Sequence, residues 1–182
     1  MEKQKSLRIG LCGTISVGKT TLINELAKLP EFKDYYIATE RSKHLRDLGI
    51  PLNTDSTLLG QFVFIAERAR ELLNENLLTD RSIYDVLAFT CSSKLISMVQ
   101  TEEIIRAARH MIRYYDIIFY VDPTGVSIED NGIRTIDAEY RDKINWMILE
   151  LLAEYPPNKL VKIPSNLSVE ERVNFIRDII RD

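Results

Sequence analysis

Little in this chain would staple, anchor or spread it. Its 182 residues include two cysteines, two histidines and one tryptophan, and neither Cys12 nor Cys91 stands in a CxxC or Cys/His spacing. A disulfide framework or a structural metal is therefore not expected, and two isolated thiols suit a reducing compartment. Both should pack as small buried hydrophobes. No window reaches the roughly 18 apolar residues that a membrane-spanning helix requires, and the opening MEKQKSLRIGLC carries too short an apolar stretch for a secretory leader. Positive charge is not in excess either. With 24 Lys and Arg against 27 Asp and Glu the net charge is -3, which disfavours nucleic acid or an anionic membrane as a nonspecific partner. No repeat, low-complexity tract or Pro/Gly-rich linker divides the chain. The expectation is a single domain over residues 1–182, soluble and cytoplasmic, with a homodimer allowed.

What is present is alternation. At 45% hydrophobic the chain can bury a sizeable core, and short apolar runs trade places with longer amphipathic segments, the pattern of an α/β fold. Strands are expected at 7–12, 35–38, 77–79, 117–121 and 160–163, several of them unbroken apolar runs of the kind a doubly covered parallel sheet requires. Helices are expected at 19–28, 55–75, 82–93, 101–114, 137–154 and 168–181, with Thr101 and Ser168 as N-caps. Right-handed crossovers then give a doubly wound sheet that takes its ligands at the carboxyl ends of the strands.

Gly13-Thr14-Ile15-Ser16-Val17-Gly18-Lys19-Thr20 fits GxxxxGK[ST] directly after an apolar strand and directly before an amphipathic helix, the context in which that pattern is specific. Its glycines let backbone N–H groups converge on phosphate oxygens and the helix N-terminus adds its positive end. Lys19 can bridge the outer phosphates, and the Thr20 hydroxyl can ligate magnesium. The expected cofactors are ATP and Mg2+, cradled by Gly13, Thr14, Ser16, Val17, Gly18, Lys19, Thr20 and Thr21.

Other motifs sit where strands should end. Asp80-Arg81 closes the 77–79 strand, placing Asp80 to hold magnesium and Arg81 to bind an acceptor or transferred phosphate through its planar fork. Thr39-Glu40-Arg41 follows the second strand, making Glu40 the candidate base for a substrate hydroxyl. Asp122-Pro123 opens a polar stretch, approximately 123–141, that reads as a lid whose Arg134 and Arg141 would close over the triphosphate. In the 55–75 helix, Leu58, Leu59, Phe62, Ile65, Ala66, Ala69, Leu72 and Leu73 are expected as the core stripe. Gln61, Phe64 and Arg68 share another face, suited to pairing with and stacking on a base. Trp146, Tyr35, Tyr36, Tyr114 and Tyr115 are read as packing residues, and His44 and His110 have no ligand partners.

These motifs resemble the P-loop nucleoside and nucleotide kinase superfamily over nearly the full length. Asp80-Arg81-Ser82-Ile83-Tyr84, with Gln61 followed by Arg68 and Arg70, is similar to deoxynucleoside kinases. Thr39-Glu40 and Glu129-Asp130-Asn131-Gly132-Ile133-Arg134 are more similar to NadR-type ribosylnicotinamide kinases and related AAA-type kinase-like domains. The resemblance implies a five-stranded sheet in the order 2-3-1-4-5 with helices on both faces and a short lid. It also implies transfer of the ATP γ-phosphoryl group to a hydroxyl or phosphate of a small nucleoside-like substrate. Two departures leave the acceptor open: no Glu-Pro follows the second strand, and no adenylyltransferase domain is expected within these 182 residues. Phage-type kinases of modified pyrimidine nucleotides or hydroxymethylated DNA bases are similar too. A GTP-binding switch would require an NKxD motif, but Asn158-Lys159-Leu160-Val161 lacks the Asp. An AAA-type motor would want an acidic residue after Asp122, where Pro123 stands.

Overall fold

The computed structural model describes residues 6–39, 42–125 and 138–181, with the Lys43 side chain excepted. In chain order the elements are β1 (Arg8–Cys12), α1 (Lys19–Leu26), β2 (Tyr36–Ala38), α2 (Ser42–Asp47), α3 (Leu58–Glu71), β3 (Leu77–Thr79), α4 (Ile83–Ser92), α5 (Met98–Ala108), β4 (Ile117–Val121), α6 (Ala138–Glu154), β5 (Leu160–Ile163) and α7 (Val169–Arg181). All strand pairings are parallel and the order is β2-β3-β1-β4-β5. That is the order the kinase resemblance implies. β3 and β4 are buried at every residue and β1 at all but Arg8, whereas the edge strands β2 and β5 are mostly open. Inner strands covered on both faces must be apolar throughout, and edge strands need not be.

The core lies on both faces of the sheet. Leu22, Ile23 and Leu26 of α1 and Val173 and Ile176 of α7 pack against Ile9, Leu11, Phe119 and Val121 on one side. On the other, α4 supplies Ile83, Tyr84, Leu87 and Ala88 and α6 supplies Ile144, Ile148 and Leu151. Ser168 caps α7 as expected, exchanging bonds with Glu171.

Four expectations are corrected. The cap of α5 is Ser97 in place of Thr101: its hydroxyl accepts from the Gln100 N–H while the Gln100 side chain accepts from the Ser97 N–H. Met98 and Val99, exposed in the first turn, concealed that start because no apolar period announces it. The 101–114 segment tightens into 3-10 geometry from Arg109 to Tyr114. Trp146, read as core, is 55% exposed, and Tyr36 and Tyr114 are exposed as well, while Tyr35 and Tyr115 do pack. Most consequential, α3 is turned round. Leu59, Phe62, Ala66, Ala69 and Leu73 of its expected core stripe face outward, and Gly60, Gln61, Arg68 and Glu71 are buried. Leu72 is buried, and Leu58 and Ile65 pack part-buried against the core. The buried face is polar because it meets polar partners at the carboxyl end of β3.

Candidate active site

β1 ends at Cys12 and the chain turns through Gly13 to Gly18 into α1. Gly13 sits at φ 151°, Ser16 at 56° and Gly18 at 84°, and that run of left-handed residues makes the concave backbone that collects N–H groups. A Cβ on Gly13 would stand 2.8 Å from the Val121 carbonyl oxygen, so the close approach of β4 adds a second reason for glycine there. Thr14, Ser16, Val17 and Lys19 are buried, Thr20 is half-buried, and Gly18 and Thr21 are exposed. The Thr14 hydroxyl donates to the Arg141 carbonyl at 2.7 Å, fastening the turn to the start of α6.

Lys19 is folded back onto its own loop. Its ammonium donates to the Gly13 carbonyl at 2.5 Å and the Thr14 carbonyl at 2.7 Å, and lies 3.5 Å from Asp85 Oδ1. Asp85 is fully buried in α4, where its other oxygen accepts from the Ser82 N–H and hydroxyl. Burial pushes the Asp85 carboxyl up, opposed by the Lys19 and Arg81 charges. Sequence reasoning missed Asp85, although the Ser82-x-x-Asp85 spacing of a capping box was its signal. Burial likewise pushes the Cys12 thiol up, and Cys12 packs as expected.

The turn after β3 is stitched between two neighbouring strand ends. The Asp80 N–H donates to the Ala38 carbonyl and the Ser82 N–H to the Leu11 carbonyl. Asp80 thereby reaches the turn of β1, and its Oδ2 accepts from the Thr20 hydroxyl at 2.7 Å. Its Oδ1 is buried with no hydrogen-bond partner among the described residues. A hydroxyl and a carboxylate with one unsatisfied buried oxygen form a hard-oxygen pair of the kind that holds magnesium alongside phosphate oxygens.

Arg68 is not on the pocket wall. It is 2% exposed; its guanidinium donates to Glu71 Oε1 at 2.5 Å and to the Arg81 carbonyl at 3.0 Å. Thr79 joins the same cluster, its hydroxyl lying 3.2 Å from Glu71 Oε2. Burial raises the Glu71 carboxyl, against the pull of Arg68 and Thr79. This buried pair underpins the Asp80-Arg81 turn. Glu71 was missed, and its only sequence signal is a carboxylate three residues after Arg68.

Above that turn opens a pocket of about 500 Å3, its mouth included, lined by Gln61, Phe64, Arg81, Val86, Phe89, Ile15 and the Leu52-Asn53 stretch, among others. Gln61 is 1% exposed and its amide lies 3.2 Å from the Thr90 hydroxyl, a partner not foreseen in the sequence. The Arg81 guanidinium stacks over Phe89 with its carbon 5.0 Å from the ring centre.

Beyond β4, Asp122 pairs with Lys162 at 2.6 Å and accepts from the Thr124 N–H and hydroxyl. Burial works against its charge, but those partners prevail and hold the carboxyl at about 2. Arg141, at the first turn of α6, is buried and donates to the Pro123 carbonyl at 3.3 Å. Glu40, Arg134 and most of the expected lid lie outside the described residues.

Residues 8–172 match the family model described as AAA domain, and the chain belongs to that family. No curated protein matches it. Among solved structures, a NadR protein in complex with NR superposes at a TM-score of 0.76 and 16% identity, covering 98% of this chain and 52% of that one; the chain spans about half the NadR length. Deoxyadenosine kinase from M. mycoides with products dCMP and a flexible dCDP superposes at 0.70 and 16% identity, covering 96% and 99%. The same kinase with bound dATP superposes at 0.65 and 16% identity, covering 97% and 100%. The fold is that of a P-loop nucleoside-kinase-like domain.

Proposed function

We propose, with that membership as the premise, that the chain is an ATP-dependent phosphotransferase acting on a hydroxyl or phosphate of a nucleoside-like small molecule. The observation that carries this reading is convergence. The Gly13–Thr20 turn, the Asp80–Thr20 contact and the Gln61–Phe64–Arg81 pocket meet along one edge of the sheet, where doubly wound folds take their ligands.

Each role is assigned from residue chemistry and position. The loop amides and Lys19 receive the triphosphate, Lys19 exchanging its two loop carbonyls for phosphate oxygens. Thr20 and Asp80 would hold magnesium, which when bound supplies the positive charge that offsets charge on the transferring phosphoryl group. Arg81, stacked on Phe89 and with its carbonyl held by Arg68, would offer its fork to a phosphate of the donor or acceptor. Gln61 offers a planar amide and Phe64 an aromatic face to a heterocyclic base. Glu40 is assigned as the base that orients the acceptor hydroxyl, and Arg134 and Arg141 as the charges that close over the phosphates; for Glu40 and Arg134 this rests on sequence position. Pro123 stands in place of the second acidic residue an AAA-type motor would carry, which favours transfer to an acceptor over bare hydrolysis.

The test is purified protein with Mg2+ and γ-labelled ATP against nucleosides, nucleoside monophosphates, nicotinamide riboside and hydroxymethyluracil-containing DNA. Label transferred to one acceptor class supports the reading and names the substrate. Label released only as free phosphate, with no acceptor stimulating it, replaces the kinase with an NTPase.

A further inference from the structure

Half of the Asp85 carboxylate is accounted for by the helix it begins, and half is not. Oδ2 completes the capping box of α4, accepting from the Ser82 N–H at 3.0 Å and from the Ser82 hydroxyl at 3.1 Å. A neutral amide oxygen can serve such a cap, since the capping box takes Glu and Gln alike. The cap therefore does not explain the negative charge. Asp85 is sealed in the interior, and its Oδ1 is buried with no hydrogen-bond partner among the described residues. A charge in that position is costly unless a cation answers it. Lys19 does so, its ammonium 3.5 Å from Oδ1, and the Arg81 charge also acts on the carboxyl.

A lysine ammonium carries three N–H donors. The Gly13 carbonyl stands 2.5 Å from it, the Thr14 carbonyl 2.7 Å, and Asp85 faces it from α4. These partners differ in how readily they can be given up. The two carbonyls are neutral and belong to the turn that a phosphate would enter, so phosphate oxygens can replace them. A sealed carboxylate deprived of its cation is among the most destabilising changes an interior can undergo. Asp85 is also the more firmly placed partner. The Ser82 N–H donates to the Leu11 carbonyl at 3.0 Å, which ties the start of α4 to the end of β1, where the Gly13–Thr20 turn begins. Lysine is a point charge on a flexible four-carbon stem, and a fixed carboxylate beside the ammonium limits where that charge can go.

We propose that Asp85 is a positioning residue for phosphoryl transfer: its Oδ1 keeps one N–H of Lys19 while the other two pass from the Gly13 and Thr14 carbonyls to phosphate oxygens. The inference rests on reading the Gly13–Thr20 turn as the triphosphate seat. Asp85 acts through Lys19, holding the ammonium where charge develops on the transferring group.

Asp85→Asn keeps the capping oxygen and the side-chain volume and removes the charge. Turnover of MgATP is followed as label transferred to an acceptor or released as phosphate. Its kcat should fall about 100-fold while the ATP KM moves less than about 3-fold, because the ammonium still meets the phosphates but is no longer aimed. Ser82→Ala weakens the cap alone and should lower the thermal midpoint with kcat kept within about 3-fold. In a Lys19→Ala background, Asp85→Asn should cost less than about 3-fold more, since residues that act as a unit are not additive. A kcat retained in Asp85→Asn overturns the proposal, as does an equal loss with and without Lys19. Should Asp85→Asn fail to fold, a structure of the wild type with Mg2+ and a non-hydrolysable ATP analogue decides: an ammonium within about 4 Å of Oδ1 supports the proposal, and one beyond about 5 Å overturns it. If Lys19→Ala alone binds and turns over ATP like the wild type, the triphosphate seat itself is lost; if Lys19→Ala is crippled and Asp85→Asn is not, only the role of Asp85 falls.

Discussion

In the Gly13–Thr20 turn the groups proposed to meet a phosphate are backbone amides, in a loop shaped by the positive φ of Gly13, Ser16 and Gly18. In the pocket beside it they are side chains drawn from α3, the β3–α4 turn and α4. The first is local: eight consecutive residues and two flanking elements define it. The second is assembled over distance, with Arg68 reaching the Arg81 carbonyl, Glu71 reaching Thr79 and Gln61 reaching Thr90. A local device fails at a point, whereas an assembled one fails through its supports. The two halves of the site can be separated on that basis.

Lys19→Ala should cost the most, a loss of turnover on the order of 1,000-fold, the scale of removing a charge that stabilises the transferring phosphoryl group. Steady-state kinetics decides it, and turnover retained within a few-fold would remove Lys19 from the chemistry. Glu71→Ala strikes the supports. It strands the Arg68 charge in the interior, so urea denaturation should show a stability loss of about 3–5 kcal/mol; a loss under about 1 kcal/mol would mean that water already serves Arg68. Gln61→Ala should sharpen the division by raising the acceptor KM about 10-fold or more while the ATP KM stays put, the cost of about one buried hydrogen bond. If both constants rise together, Gln61 holds the helix and not the acceptor. Asp122→Asn should be mildest. The wild-type carboxyl is depressed from 3.8 to about 2, so the stability it contributes is present above about pH 4 and lost as pH falls toward 2. Because Lys162 is largely exposed, that stability should be about 1 kcal/mol at pH 7, and the difference between wild type and variant should shrink below pH 4.

Much of this was legible in the sequence, for reasons that differ by element. β3 and β4 fall where their apolar runs lie, since a strand covered on both faces advertises itself. The phosphate turn is legible because glycine spacing is a backbone requirement. Asp80 and Arg81 were placed correctly at a strand end, but the unsatisfied Oδ1 of Asp80 and the Arg81–Phe89 stacking depend on contacts no spacing encodes. α3 is the instructive failure. Its apolar period was read properly and assigned to the wrong side, because a hydrophobic pattern alone does not say which polar groups elsewhere in the chain the opposite face will meet. Arg68 was put on the pocket wall beside Gln61 for the same reason.

The reversed amphipathicity of α3 bears on how the chain is made. Thr79, the Arg81 carbonyl and Thr90, the groups outside the helix that satisfy its polar face, all come later in sequence. During synthesis the helix emerges before they exist, and its apolar side is then the stickier one. Until β3 and α4 follow, the favourable local choice is to bury Leu59, Phe62 and Leu73 against the nearest strand, the opposite of the native docking. Refolding from denaturant should therefore slow as protein concentration rises, and a holdase that shields the nascent stripe should raise the yield of native protein.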